Sequence, residues 1–188
     1  RGAGGKWSPK NAGHRYSNQM MSIEQALAAS SNVVAVKALK DLGVSSMASF
    51  ARRLGITSAV PRDLSAALGS ASVSPLELAN AYATLASGGI AGKPYAVTRV
   101  EGPDGELLYS ESPKHAYVLS REVADHLTTM LERAVNEGTG QKAAIKGLAV
   151  AGKTGTTNGN IDAWFVGYTH DVVGTVWVGY DKPRKMPG

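Results

Sequence analysis

The segment from Ala149 to Asn160, AVAGKTGTTNGN, fits two patterns with different chemistries. Residues 147–154 match G-x-x-x-x-G-K-[ST], the phosphate-binding loop in which backbone amides and a lysine hold a nucleotide. Residues 153–155 form a K-T-G triplet, which on a β-strand would place an ammonium group beside hydroxyl donors and so suit a carboxylate. The flanking sequence favours one of the two.

A phosphate-binding loop must lead from a strand into a helix, whose first amides and dipole hold the phosphate. Here the four variable positions of the pattern, residues 148–151, are apolar, and residues 155–160, GTTNGN, are a poor helix start. The next strand pattern begins after only a few residues, whereas a parallel crossover needs a dozen or more. The last three strands are therefore predicted to be antiparallel, and nucleotide binding is disfavoured.

On a strand, alternate side chains share one side, so Thr154 and Thr156 would offer two hydroxyl donors together. Gly155 between them would allow a substrate backbone to come close, and Lys153 would add a fixed positive charge. The pattern thus suggests a carboxylate cradle. An ordinary edge strand with surface lysine and threonine is the alternative that these residues alone leave open.

Helices and strands that could position this cradle follow from periodicity and capping patterns. Ser22 and Gln25 form a capping box before a short helix, and Ser74, Pro75 and Glu77 mark another helix start. The other predicted elements are helices ending near Gly43, Gly55 and Asn136, a hairpin of residues 95–101 and 106–110, and strands over residues 147–156, 162–169 and 172–180. Ser30-Ser31-Asn32 falls between the first two helices, where a simple cap would explain it.

Composition narrows the classes of protein. The 188 residues are 43% hydrophobic and contain no cysteine, so a packed core is expected and thiolate chemistry is excluded. A net charge of +5 without an aromatic-interleaved basic stripe gives no reason to expect nucleic-acid binding. His14, His115, His126 and His170 lack metal-ligand spacing, so neither a metal nor a cofactor is expected.

Six blocks in order make the chain resemble the transpeptidase domain of class A penicillin-binding proteins along nearly its whole length. They are KWSPKN (6–11), ALAASSNVVAVKAL (26–39), ALGSASVSPLELANAYATLASGG (67–89), EGTGQKA (137–143), AGKTGTTN (151–158), and DAWFVGYT (162–169) followed by VWVGYD (176–181). The K-T-G triplet is a known feature of such serine enzymes. The resemblance implies an α/β (α+β) fold, in which an antiparallel sheet flanked by helices faces an all-helical subdomain. Residues 1–94 would form the mainly helical part and residues 95–188 the hairpin, helix and antiparallel strands.

The resemblance also implies roles for particular residues. Ser30 and Asn32 would form the S-x-N element opposite the Lys153 strand, with Ser30 relaying protons, Asn32 bonding a substrate amide and Lys153 polarising the Ser30 region. Thr154, Gly155 and Thr156 would bind the substrate, the two threonines holding its terminal carboxylate and the Thr156 N–H acting as an oxyanion donor. The implied reaction is serine acyl transfer from D-Ala-D-Ala stem peptides, which cross-links peptidoglycan and is blocked by β-lactams.

One feature departs from the family: no serine has a lysine three residues later, so the nucleophile motif S-x-x-K is missing. In the family this motif precedes the block matched by KWSPKN, so the chain is expected to be a C-terminal piece, incomplete at both ends. By resemblance, the parent protein would be membrane-anchored at the outer face of the bacterial cytoplasmic membrane. A non-catalytic peptide-binding module, a D,D-carboxypeptidase and a β-lactamase remain as alternatives.

Overall fold

The computed structural model describes residues 8–11 and 19–187, and these form a mixed α/β structure with antiparallel sheets. Lys6 and Trp7 of the first block, His14 and Gly188 lie outside the described residues. The helices are α1 Ile23–Ala28, α2 Asn32–Leu42, α3 Val44–Arg53, α4 Pro75–Ala86 and α5 Arg121–Asn136. The strands are β1 Ile90–Gly92, β2 Arg99–Glu101, β3 Leu107–Ser110, β4 His115–Tyr117, β5 Ala151–Thr156, β6 Ala163–Tyr168 and β7 Val173–Val178.

The helix starts follow the capping patterns of the sequence. At α1 the Ser22 hydroxyl accepts from the Gln25 N–H and the Gln25 side chain accepts from the Ser22 N–H. At α4 the same exchange joins Ser74 and Glu77, with Pro75 as the first helical residue. Both predicted capping boxes are confirmed, because each satisfies amides that the first helical turn cannot pair internally.

The principal sheet has the order β5-β6-β7, with both pairs antiparallel, as predicted. Residues 157–162 make only a tight turn between β5 and β6, and the Thr157 N–H donates to the Asp162 carbonyl over 3.1 Å. Lys153 therefore lies within a strand, and the chain continues into an antiparallel neighbour. This geometry does not fit a phosphate-binding loop, which needs a helix at that point.

Two smaller sheets differ in part from the predicted elements. β2 and β3 pair antiparallel as the expected hairpin, but β2 begins at Arg99 rather than at residue 95. A second antiparallel pair, β1 with β4, was not predicted. Each of these two strands has only three residues, too few to show a period-two pattern in the sequence.

The buried core beneath the principal sheet is where α5, α4 and α1 meet the strands. Leu131 of α5, Ala151 of β5 and Tyr168 of β6 form a buried cluster, and partly buried residues of α1, α4 and β7 pack around it: Leu27, Tyr82, Leu85 and Val173. The Tyr82 and Tyr168 rings meet edge to face with centroids 6.2 Å apart. This core holds the end of α1 close to strand β5.

Candidate active site

The turn Ser30-Ser31-Asn32 connects α1 to α2 in a constrained conformation. Ser30 has a φ of +54°, in the left-handed region that side-chain-bearing residues rarely occupy, and such strain is found at functional sites. Its N–H donates to the Leu27 carbonyl over 3.1 Å, and the Ser31 N–H donates to the Ala26 carbonyl over 2.8 Å. Two backbone hydrogen bonds to α1 thus hold the turn in place.

An asparagine from a distant segment supports the same turn. The Asn11 carboxamide oxygen accepts from the Val33 N–H over 3.2 Å and from the Ser31 hydroxyl over 3.4 Å. It replaces the cap that Ser31, the N-cap residue of α2, does not itself provide. The Asn32 amide donates to the Lys10 carbonyl over 2.8 Å, a bond that uses only one of its two hydrogens.

Strand β5 carries the K-T-G triplet at the edge of the principal sheet. Thr154 is opposite Phe165 and Thr156 is opposite Ala163 of β6, so the two threonine side chains lie on one face, as their spacing indicates. The Thr157 N–H points toward β6, so the preceding N–H, that of Thr156, points away from the sheet at its free edge. A backbone donor in that position can serve a developing oxyanion.

Lys153 joins the strand to the turn. Its ammonium group donates to the Ser30 hydroxyl, to the Thr154 carbonyl over 3.0 Å and to the Thr139 hydroxyl over 3.4 Å. Burial lowers the pKa of Lys153 below its ordinary value of 10.5, because desolvation disfavours the charged form. The structure thus brings Ser30 and Lys153, separated by 123 positions in the sequence, into direct contact.

Two residues at this site had no role assigned from the sequence. Asn11 lies in the block KWSPKN and Thr139 in the block EGTGQKA, both of which carry the family resemblance. The sequence thus marked both positions, but it did not show which residues they contact. The Thr139 hydroxyl lies 2.8 Å from that of Thr154. The Asp162 carboxylate accepts from the Trp177 indole N–H over 3.0 Å.

Together, the ammonium and hydroxyl groups at the edge of β5 face a strained serine turn, so the structure brings together the two elements that the resemblance assigns to the cleft. The family model of the penicillin-binding protein transpeptidase domain matches residues 2–182. The chain therefore belongs to the penicillin-binding protein transpeptidase domain family.

Individual relatives agree with this assignment. Penicillin-binding protein 1A of Neisseria cinerea is 38% identical over 194 residues, which cover 99% of this chain and 24% of that protein. The crystal structure of penicillin-binding protein 1A from Haemophilus influenzae matches with a TM-score of 0.87 and 29% identity over 97% of this chain and 33% of that one. The Mycobacterium tuberculosis PonA1 protein in complex with penicillin V matches with a TM-score of 0.81 and 28% identity over 93% of this chain and 52% of that one.

The chain spans about a quarter of the length of the curated relatives that it matches. Within the described residues, none of the helices is long and apolar enough to cross a membrane.

Proposed function

We propose that the protein carrying this chain is a peptidoglycan D,D-transpeptidase. The observation that carries the proposal is the hydrogen bond from the Lys153 ammonium to the Ser30 hydroxyl, which holds the K-T-G strand against the S-x-N turn. In this proposal residues 1–94 supply the mainly helical wall of the cleft and residues 95–188 the sheet wall. A stem peptide ending in D-Ala-D-Ala would lie between the two walls.

The proposed reaction proceeds through an acyl-enzyme. A serine of an S-x-x-K motif, supplied by sequence outside these 188 residues, attacks the carbonyl carbon of the penultimate D-alanine. Its proton passes through the Ser30 hydroxyl to the nitrogen of the departing D-alanine. An amine of a neighbouring stem peptide then attacks the ester, forms the new amide and returns the proton to the serine.

Each site residue has a part in this sequence of steps. The positive charge of Lys153 polarises the Ser30 hydroxyl and attracts the anionic substrate. Asn32 bonds a substrate amide through the carbonyl oxygen and the second hydrogen of its carboxamide, which the bond to Lys10 leaves available. The Thr154 and Thr156 hydroxyls bind the terminal carboxylate, Gly155 admits the peptide backbone, and the Thr156 N–H stabilises the oxyanion.

β-Lactams fit the same cleft because they combine a reactive carbonyl with a carboxylate. A protein with this chemistry acts on the outer face of the bacterial cytoplasmic membrane, where its peptidoglycan substrate lies, and a membrane anchor elsewhere in the protein would keep it there. The M. tuberculosis PonA1 protein in complex with penicillin V supports the extension to β-lactams.

Covalent labelling of the full-length protein with a fluorescent penicillin tests the proposal. We expect a labelled band that survives denaturing electrophoresis and is lost when unlabelled penicillin is added first. The absence of any labelled band from folded protein would contradict it.

A second candidate is a peptide-binding module of the same fold without catalysis, which requires that the full-length protein carry no S-x-x-K serine. It predicts that a D-Ala-D-Ala peptide binds reversibly while the penicillin leaves no covalent label. Determining the residues that precede Arg1 in the full-length protein would show directly whether an S-x-x-K serine is present.

A further inference from the structure

Thr139 belongs to neither the S-x-N turn nor the K-T-G strand, yet it contacts both walls of the site. Its hydroxyl lies 2.8 Å from the Thr154 hydroxyl and accepts a hydrogen bond of 3.4 Å from the Lys153 ammonium. Its backbone N–H donates to the carbonyl of Ala28, two residues before Ser30, over 3.2 Å. A single residue thus links the end of α1 to two of the groups that face the cleft.

The glycines on either side allow this placement. A β-carbon at Gly138 would come within 2.3 Å of the Ala28 carbonyl oxygen and 2.9 Å of the Ala134 carbonyl oxygen, so no other residue fits without a backbone shift. Gly140 lies almost as close to α5, and its N–H donates to the Ala134 carbonyl over 2.9 Å. The backbone around Thr139 is therefore packed tightly between the ends of α1 and α5.

The chemistry of the three groups sets the direction of their hydrogen bonds. An ammonium group is only a donor, so the Thr139 oxygen accepts from Lys153. Thr139 can then direct its single hydroxyl hydrogen to the Thr154 oxygen. With the hydrogen bonds directed in this way, the hydrogen of the Thr154 hydroxyl is available to an acceptor in the cleft. Each hydrogen bond in such a chain polarises the next.

We propose that Thr139 is a positioning residue that orients the Lys153 ammonium and the Thr154 hydroxyl, so that Thr154 donates to the carboxylate of an anionic acyl donor. This inference rests on the proposed function for the identity of that ligand. It concerns the carboxylate of the ligand and not its reactive carbonyl, because Lys153 keeps its own hydrogen bond to Ser30 when the Thr139 hydroxyl is removed. Removing the Thr139 hydroxyl therefore weakens recognition of an acid selectively.

The first test uses the full-length protein and two probes, a fluorescent penicillin and its methyl ester, in which the carboxylate is blocked. We expect Thr139→Val to slow acylation by the acid about 3- to 10-fold, the usual effect of losing one neutral hydrogen bond. The slower overall reaction should come from weaker reversible binding of the acid, with the first-order rate of the acylation step unchanged. The overall rate with the ester should change less than about 2-fold. Thr139→Ser, which keeps the hydroxyl, should restore acylation by the acid.

Equal slowing of acid and ester by Thr139→Val would overturn the proposal, because it would indicate a general structural defect. An unchanged rate with the acid, or failure of Thr139→Ser to restore it, would also overturn it. A wild-type protein that takes no label at all would contradict the proposed function, and a second measurement would then decide the role of Thr139.

That measurement is the NMR titration of the Lys153 side chain. Because the Thr139 oxygen stabilises the ammonium form, Thr139→Val should lower the pKa of Lys153 further and Thr139→Ser should not. A titration that is the same in wild type and Thr139→Val would overturn the proposal independently of any reaction with penicillin.

Discussion

At the scale of single residues, Lys153 connects the two walls of the site. Its ammonium group donates to Ser30 on one side and to Thr139 and its own strand on the other. Charge-assisted hydrogen bonds are stronger than neutral ones, and the cost of losing them is largest where water is partly excluded. Lys153 thus contacts both the serine turn and the strand that carries the K-T-G triplet.

Lys153→Met, which keeps an unbranched side chain of nearly the same length but removes the charge, should slow acylation of the full-length protein by a penicillin about 10- to 100-fold. The magnitude follows from a charge-assisted hydrogen bond worth about 1.5–3 kcal/mol. Stopped-flow labelling measures the rate. Lys40→Met, at an exposed position of α2, is the matched control and should keep the wild-type rate. Equal rates for Lys153→Met and wild type would exclude this role.

The titration of Lys153 also predicts how stability depends on pH. Burial lowers the pKa of Lys153 in the folded state below 10.5. Between that lower folded-state pKa and 10.5, the unfolded chain therefore binds more protons than the folded chain. Lys153 therefore makes a contribution to the free energy of unfolding that rises with pH across that window. Subtracting urea midpoints of Lys153→Met from those of wild type, from pH 8 to 11, isolates this contribution. A difference that stays constant or falls with pH would contradict the predicted rise of the Lys153 contribution to the free energy of unfolding.

At the scale of elements, the N-terminus of α2 depends on a residue more than twenty positions away. Asn11 supplies the acceptor for the Val33 N–H that the N-cap residue Ser31 does not. Because this helix end also carries Asn32, capping and site geometry depend on the same contact. The packing of residues 8–11 against the turn is thus part of the candidate site.

Asn11→Ala should reduce the free energy of unfolding by about 1 kcal/mol, the usual cost of a lost N-cap acceptor. Asn11→Asp retains an acceptor oxygen, and its charge is favourable near a helix N-terminus, so it should be close to wild type. Urea unfolding followed by circular dichroism compares the three proteins. Identical midpoints for wild type and Asn11→Ala would show that the cap makes no contribution.

Glu77 stabilises the start of α4 and the loop before it. Its carboxylate accepts from the Ser74 N–H over 2.9 Å, from the N–H and hydroxyl of Thr57 over 2.7 and 2.8 Å, and from the N–H and hydroxyl of Ser58 over 2.7 Å each. These bonds, first among them that from Ser74, hold the pKa of Glu77 well below its ordinary value of 4.5. The carboxylate therefore links the two segments most strongly while it is ionised.

Because the folded-state pKa of Glu77 is depressed, its stabilising contribution is present above about pH 4.5 and is lost as the pH falls toward the lower value. Glu77→Gln should therefore be less stable than wild type at pH 7, and its stability should fall less steeply between pH 5 and pH 2. Glu122→Gln, at an exposed position of α5, is the control and should keep the wild-type steepness. Parallel curves for wild type and Glu77→Gln in thermal unfolding would contradict this assignment.

At the scale of the whole molecule, the core beneath the sheet sets the distance between the walls of the site. Leu131 packs with Ala151 and Tyr168, the residues at the start of β5 and the end of β6. Ala151 is two positions before Lys153 on the same strand face. Packing of α5 in this core therefore determines where the K-T-G strand lies relative to α1.

Leu131→Ala should reduce the free energy of unfolding by about 2–5 kcal/mol, because it removes a buried side chain and leaves a cavity. Leu131 is only 5% exposed, whereas Leu76 on α4 is 61% exposed. The same substitution at Leu76 should change stability by less than about 0.5 kcal/mol. Comparable losses at the two positions in urea unfolding would show that Leu131 is not a core residue.

The sequence predicted those elements whose formation depends on interactions between residues close together in the chain. Ser22 with Gln25 and Ser74 with Glu77 form capping boxes because each box lies within one helical turn. The span of α5, Arg121–Asn136, follows from an apolar stripe at helical spacing. The antiparallel order of the last three strands follows from connections too short for a crossover.

The hydrogen bonds between distant segments could be decided only by the tertiary structure. The family resemblance implied that Ser30 lies opposite the Lys153 strand, but no local pattern gives their hydrogen bond. Nothing in the sequence pairs Asn11 with Val33 or Thr139 with Thr154. The three-residue strands β1 and β4 likewise become strands only by pairing with each other. The sequence alone determined the family and the chemical groups available, because motifs and capping are local, whereas packing of α5 and α1 against β5 decided which groups meet, because such contacts depend on the whole core.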